Sequence, residues 1–159
     1  MTQQLMRLQR VTLEALFAVL LTGAALAGAN PLVGTWHLNL VKSKLRASPA
    51  PKSVVVKVEP KGSGISVALS VVNADGTKGQ LGYTANYDGK DYPIAGSRLF
   101  STIALKRLDD HTDEAIFKKR GKLVQISKRV VSNGGKTLTI TDEAPGGKSA
   151  STVSLWDRQ

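Results

Sequence analysis

Cysteine is absent from this 159-residue chain, and only two histidines are present. Without cysteine there is no disulfide framework, no thiolate nucleophile and no thioether-linked lipid anchor. The sequence also contains no Gly-x-Ser-x-Gly, no His-Glu-x-x-His and no phosphate-binding loop. We therefore expect no enzyme, no cofactor and no metal site. A Ser-His-Asp triad built from distant residues leaves no sequence signature, so that alternative stays open.

Long apolar runs are absent after residue 29, but one stands at the start of the chain. Arg7 and Arg10 precede the apolar stretch 11–29, which ends in the small residues Ala-Leu-Ala-Gly-Ala. This order is typical of a cleaved secretory signal peptide, residues 1–29, with cleavage after Ala27 or after Ala29. A retained anchor is the alternative, but the stretch from Ala15 is short for a spanning helix. We expect a periplasmic or secreted domain, residues 30–159, with no transmembrane segment after cleavage.

Acidic residues are few, with 12 Asp and Glu against 22 Lys and Arg, so the net charge is +10. A basic surface favours encounters with anions such as phospholipid headgroups, and it also serves solubility alone. The basic residues are spread over the whole chain without a helix-turn-helix, zinc-finger or RNA-recognition signature. Together with export, this excludes nucleic acid, and it leaves two interpretations of the basic surface: contact with an anionic envelope surface, or solubility alone.

Helical periodicity is lacking after Pro31, because apolar residues alternate with polar ones. The alternation, with turn signals about every ten residues, indicates an all-β antiparallel up-and-down meander of 8–10 strands. On the last strand it places Val153 and Leu155 on the buried face. The predicted strands are 32–40, 53–59, 65–72, 79–87, 92–95, 100–108, 113–119, 122–131, 136–142 and 151–157.

A meander leaves two edge strands unpaired unless the first strand pairs with the last, so we expect a closed β-barrel. Gly34 and Trp36 lie on the first strand, where the Trp would plug one end and the Gly would let the backbone pass close to it. The basic loop 41–52 would lie over one mouth of the barrel or simply cross it. We expect this single domain to be a monomer.

Several motifs resemble small exported bacterial lipocalin-like proteins, in the superfamily of lipocalin and fatty-acid-binding-protein barrels. They are Pro-Leu-Val-Gly-Thr-Trp at 31–36, Tyr-Asp-Gly-Lys-Asp-Tyr-Pro at 87–93, Gly-Lys-Thr-Leu-Thr-Ile at 135–140 and Trp-Asp-Arg at 156–158. The resemblance implies a barrel that holds a small apolar or amphipathic ligand. It also implies that Arg158 stacks on Trp36, an interaction with a cation–π basis. The Thr-Asp-Tyr motif of true lipocalins is missing.

The candidate ligand-binding residues are Tyr83, Tyr87, Tyr92 and Arg129. The tyrosines would form an aromatic wall ending in hydroxyls, and an inward Arg129 could bind a carboxylate. The alternatives are that the tyrosines fill the core and that Arg129 faces solvent in place of Lys128.

Two functions follow from these features. The first is a small-molecule binding protein, which requires an internal cavity of about 300 Å³ or more. The second is an interaction module with a filled barrel, whose basic surface docks on an anionic envelope component or a partner protein. The acidic stretch 109–114 lacks the spacing of a calcium loop, and we interpret it as a polar hairpin turn.

Overall fold

The computed structural model describes residues 29–45, 48–147 and 151–159. The predicted signal peptide, residues 1–29, lies outside the described residues except for Ala29. Ten strands and one 3₁₀ turn, Pro145–Gly147, make up the regular structure of the described part. The strands are β1 (Gly34–Leu38), β2 (Ser53–Lys61), β3 (Gly64–Val72), β4 (Lys78–Asn86), β5 (Tyr92–Ala95), β6 (Thr102–Arg107), β7 (Thr112–Lys119), β8 (Lys122–Val131), β9 (Thr137–Glu143) and β10 (Thr152–Arg158).

The ten strands form one closed antiparallel barrel, in which each strand pairs with its neighbours in sequence. β1 closes the barrel by pairing with β2 on one side and with β10 on the other. The prediction of an all-β meander closed by its first and last strands is therefore confirmed. Among the described residues there is no helix long and apolar enough to cross a membrane.

Local chemistry explains where the hairpins turn. Between β7 and β8 the turn consists of Arg120 and Gly121, whose φ angles are +49° and +76°. Positive φ at both central residues is the requirement of the tight turn that matches strand twist. The alternating pattern then sets which face of each strand points inward, because side chains of a strand alternate between the two faces of the sheet.

The connections between strands define two ends of the barrel. At the closed end lie the turns β2–β3, β4–β5, β6–β7 and β8–β9, together with residues 29–33 that precede β1. At the open end lie the turns β3–β4, β5–β6, β7–β8 and β9–β10. The loop 41–52 leaves β1 at the open end, where Lys44 bridges to Val153 on β10. The buried core includes Trp36, Ile65, Ile103 and Leu105, the largest side chains that are fully enclosed.

The predicted inward face of β10 is wrong. Ser154 and Trp156 are the buried residues of this strand, whereas Val153 and Leu155 lie on the outer face and are half-buried. Only one face of the strand can enter the barrel, and the Trp has more apolar area to bury than Val or Leu. The chain after β1 continues to pair with β10, since the Asn39 backbone N–H donates to the Leu155 carbonyl at 2.8 Å.

Candidate functional site

The closed end is plugged by Trp36, which is completely buried. Its indole Nε1 donates to the Leu32 carbonyl at 2.8 Å, which ties the plug to the segment before β1. The guanidinium carbon of Arg158 lies 4.2 Å from the centre of a Trp36 ring. Arg158 also donates to the carbonyls of Val33 (2.6 Å), Pro31 (2.5 Å) and Gly135. The structure thus places Arg158 where a cation–π stack seals the barrel end.

Above the plug, a buried ion pair joins β7 and β8. Arg129 Nε donates to Asp113 Oδ1 at 2.5 Å, and Arg129 Nη2 donates to Asp113 Oδ2 at 3.0 Å. Both side chains are almost fully enclosed, with 9% and 4% of their surface exposed. Lys128 is exposed, so of the two neighbours it is Arg129 that points inward. A bidentate pair of this kind uses the guanidinium edge that would otherwise bind a ligand carboxylate.

Two of the predicted tyrosines complete this network. The Tyr83 hydroxyl accepts from Arg129 Nη1 at 2.9 Å. The Tyr87 hydroxyl donates to Asp113 Oδ2 at 2.9 Å and accepts from Asn30 Nδ2 at 3.0 Å. Burial, followed by the nearby Asp113 charge, raises the pKa of Tyr87 to about 12. Tyr87 is therefore protonated at neutral pH, as its role as a donor to Asp113 requires.

The barrel contains a cavity of about 220 Å³, whose lining extends from Tyr83 and Arg129 of this network to the open end. Leu32 belongs to its lining and comes from the closed end, while Phe100 and Phe117 line it nearer the open end. Those two rings pack with their centroids 4.7 Å apart. Most of the remaining lining is aliphatic or aromatic, including Leu69, Leu81 and Trp156. This volume is smaller than the range of about 300 Å³ upward that is usual for drug-sized ligands.

A polar cluster, Gln125, Ser127 and Asp142, lines the same cavity at the open end. Asp142 Oδ1 accepts from Ser127 Oγ at 2.5 Å and from Gln125 Nε2 at 3.0 Å. Burial raises the pKa of Asp142 above its usual value, although the two hydrogen bonds act in the opposite direction. Gln125 and Asp142 also line a second recess of about 270 Å³ at the open end, together with Glu143, so the carboxyl group of Asp142 lies between the two spaces.

The remaining candidates lie apart from the cavity. Tyr92 is not among its lining residues, and its hydroxyl donates to Asp88 Oδ2 at 2.8 Å beside the β4–β5 turn. The acidic stretch 109–114 contains a turn, in which Asp109 Oδ1 accepts from the His111 amide at 2.8 Å. Within the described residues there is no group of three His, Cys, Asp or Glu side chains placed to hold a metal ion.

Sequence reasoning missed Asp113 as the partner of Arg129 and missed the polar cluster entirely. A signal for the cluster was available in the alternation, since Asp142 follows the inward residues Leu138 and Ile140 at spacing two. For Asp113 there was none, because its role depends on the register that places β7 beside β8.

Comparisons with known proteins add no family to this description. No protein-family model matches the chain, and no curated protein matches it. The likeness to lipocalin-like proteins thus rests on the motifs and on the closed ten-stranded barrel.

Proposed function

We propose that this chain is an exported, non-catalytic member of the lipocalin-like barrels that binds a compact molecule with an apolar body. The observation that carries the proposal is the cavity of about 220 Å³, which is mostly apolar and reaches the open end of the barrel. The Trp36 plug blocks the opposite end, so the ligand enters near Gln125 and Asp142. Export rests on the charged, apolar and small-residue order of residues 1–29, and it implies a periplasmic or secreted protein.

The cavity volume narrows the class of ligand. At about 220 Å³ the cavity does not reach the 300 Å³ that we required of a small-molecule binding protein, so the binding function fails in that general form and the proposal is confined to molecules smaller than a long-chain fatty acid or a drug. It nevertheless exceeds the roughly 150 Å³ that is enough for an apolar protein cavity to bind benzene. A ligand with one aromatic ring or a short branched alkyl group fits between these limits. The buried Arg129–Asp113 pair occupies barrel volume beside the cavity, and Arg129 itself belongs to the cavity lining.

The proposal is tested with 2-phenylethanol as a neutral probe of the cavity and palmitate as a long-chain comparison. Val56 lines the cavity from β2, so Val56→Phe should fill part of the volume and abolish binding of the probe. Val55 is the next residue on the same strand and points outward, so Val55→Phe is the matched control. We expect calorimetric titration to show 2-phenylethanol binding to the wild type and to Val55→Phe, with no palmitate binding.

Two outcomes would overturn the proposal. One is that 2-phenylethanol does not bind the wild-type chain at millimolar concentration. The other is that it binds Val56→Phe as well as it binds Val55→Phe, which would place the binding outside the barrel. Melting curves of both variants show whether they are folded, since an added ring in a packed core costs about 1–3 kcal/mol.

A second function, docking on an anionic phospholipid surface, is favoured by a patch at the open end. Leu99 and Leu123 are 71% and 40% exposed there, on the β5–β6 connection and the β7–β8 hairpin. Arg98, Arg120 and Lys122 are exposed beside them in sequence, and Lys119 Nζ hydrogen-bonds the Arg98 carbonyl, so the two segments are neighbours. Exposed apolar side chains flanked by cations are suited to the interface of an anionic bilayer.

Vesicle co-sedimentation separates this second function from the first. We expect binding to phosphatidylglycerol vesicles that weakens steeply with salt, and little binding to phosphatidylcholine vesicles. Leu99→Ser combined with Lys122→Glu should abolish the binding and leave the affinity for 2-phenylethanol unchanged. Equal binding of wild type and double variant to phosphatidylglycerol would refute docking through this patch.

A further inference from the structure

The charges that line the cavity are not balanced. Among the described residues, Arg129 and Asp142 are the charged ones in the lining. Arg129 is already neutralised, because both oxygens of Asp113 accept from its guanidinium. Asp142 has no such partner, since no Lys, Arg or His side chain of the described residues forms a salt bridge with it. When Arg129, Asp113 and Asp142 are all ionised, the Arg129–Asp113 pair is neutral and the negative charge of Asp142 is left unpaired.

The unpaired carboxylate also has free hydrogen-bonding capacity. Its Oδ1 is engaged by Ser127 and Gln125, whereas Oδ2 accepts no hydrogen bond from any residue that the structure describes. Because Ser127 and Gln125 hold Oδ1, the carboxyl group has a fixed orientation at the cavity mouth. A half-buried charge without a counter-ion is costly, and a ligand that brings an opposite charge and N–H donors removes that cost.

We propose that the cavity binds cationic amines: the ammonium group of the ligand pairs with Asp142 at the open end, and its compact apolar body fills the space below. This inference rests on the proposed function, which it deepens by naming the charge of the ligand. It also reverses two simpler expectations. An inward Arg in a barrel suggests a ligand carboxylate, but the Arg129 guanidinium is already paired with Asp113. A net charge of +10 suggests anionic ligands in general, but that charge describes the outer surface and not the cavity.

Three probes of nearly equal size test the charge of the ligand: 2-phenylethylamine, 2-phenylethanol and phenylacetate. At neutral pH they are a cation, a neutral molecule and an anion. We expect the wild-type chain to bind the amine roughly ten- to a hundredfold more tightly than the alcohol, as for a charge-assisted hydrogen bond. We expect phenylacetate to bind more weakly than the alcohol, because the two carboxylates would repel each other.

Asp142→Asn is the decisive variant, because the amide keeps an oxygen for Ser127 and Gln125 but removes the charge. It should abolish the preference for the amine, measured as the ratio of the affinities for 2-phenylethylamine and 2-phenylethanol in the same variant. Glu143→Gln is the matched control, since Glu143 is the next residue and is exposed, and it should retain the preference. Lys148 belongs to the β9–β10 connection but lies outside the described residues. Lys148→Ala is therefore measured as well, to test whether this lysine is a counter-ion of Asp142.

The outcomes distinguish failure of this inference from failure of the proposed function. If 2-phenylethanol binds in the cavity but the amine binds no better, or if Asp142→Asn keeps the full preference, the cation site is refuted and the cavity stands. If Glu143→Gln loses the preference for the amine as fully as Asp142→Asn does, the preference comes from the overall negative potential near the cavity mouth and not from Asp142. That result would also refute the cation site. A preference that emerges only in Lys148→Ala would show that Asp142 is already paired within the chain, and this would refute the cation site. If none of the three probes binds, both proposals fail.

Discussion

Trp36 and Arg158 are paired twice, once through the backbone and once through their side chains. They are opposite residues in the register that joins β1 to β10, and the Arg158 guanidinium carbon lies 4.2 Å from the centre of a Trp36 ring. A barrel closes only if its first and last strands pair, so these two residues lie at the seam, the β1–β10 pairing that closes the barrel. The seam and the plug are therefore a single structural unit, and perturbing either residue should weaken both.

Trp36→Ala should lower the free energy of unfolding by about 3–5 kcal/mol, the usual cost of removing a fully buried Trp. The variant loses the burial of the whole indole, the cation–π stack with Arg158 and the hydrogen bond to the Leu32 carbonyl. Denaturant unfolding followed by circular dichroism measures the loss. Trp36→Phe, which keeps an aromatic ring in the same place, should cost less. An unchanged melting temperature in Trp36→Ala would disprove the plug.

Gly34→Ala should destabilise the chain by more than about 1 kcal/mol. The φ angle of Gly34 is +141°, which side chains rarely adopt, and an added Cβ would collide with Arg158 Nη1. The new methyl group would therefore push the guanidinium away from Trp36. Gly134→Ala is the matched control, because nothing lies within 4 Å of the methyl group there, and it should change stability by no more than about 0.5 kcal/mol. Equal melting temperatures for the two variants would contradict this argument.

The strand order and most strand limits were predictable because alternation and turn chemistry are local properties. β5, Tyr92–Ala95, and β8, Lys122–Val131, have the limits that the pattern predicted. β1 is shorter than expected, since Leu32 belongs to the segment that leads into the plug and supplies the carbonyl for the Trp36 indole. The face of β10 was predicted wrongly because the alternation of Val153 and Leu155 with Thr152 and Ser154 was followed, whereas Trp156, the largest apolar residue of the strand, lies on the opposite face.

The site was predictable only in part, because its chemistry arises from contacts between strands. Arg129 was identified as a candidate, but its partner Asp113 lies 16 residues earlier and becomes its neighbour only through the β7–β8 register. That partner holds the guanidinium of Arg129 in a hydrogen-bonded network, while Arg129 also lines the cavity. Asp142 was not identified because a single acidic residue at a strand end is usually solvated, and only the closed barrel places it beside a cavity.

Breaking the buried pair at one side should be more harmful than removing both partners. Asp113→Leu and Arg129→Met should each cost about 3–5 kcal/mol, because each leaves one charge buried without its counter-ion. The double variant should cost several kcal/mol less than the sum of the two, since it buries no unpaired charge. A double-mutant cycle by denaturant unfolding measures the coupling. Strictly additive losses would show that the two side chains do not stabilise each other.

Asp142→Asn should raise the stability of the ligand-free chain at neutral pH, and the gain should disappear in acid. Burial raises the pKa of Asp142 in the folded state, so the folded chain holds this proton more tightly than the unfolded chain. Wild-type stability therefore falls as pH rises from the unfolded-state pKa, about 3.9, through the raised value, and the asparagine variant avoids that loss. Unfolding at pH 7 and pH 3 measures both limits, with Glu143→Gln as the exposed control. A variant less stable than wild type at pH 7, with the same deficit at pH 3, would mean that Asp142 holds the β8–β9 pairing together and carries no burial penalty.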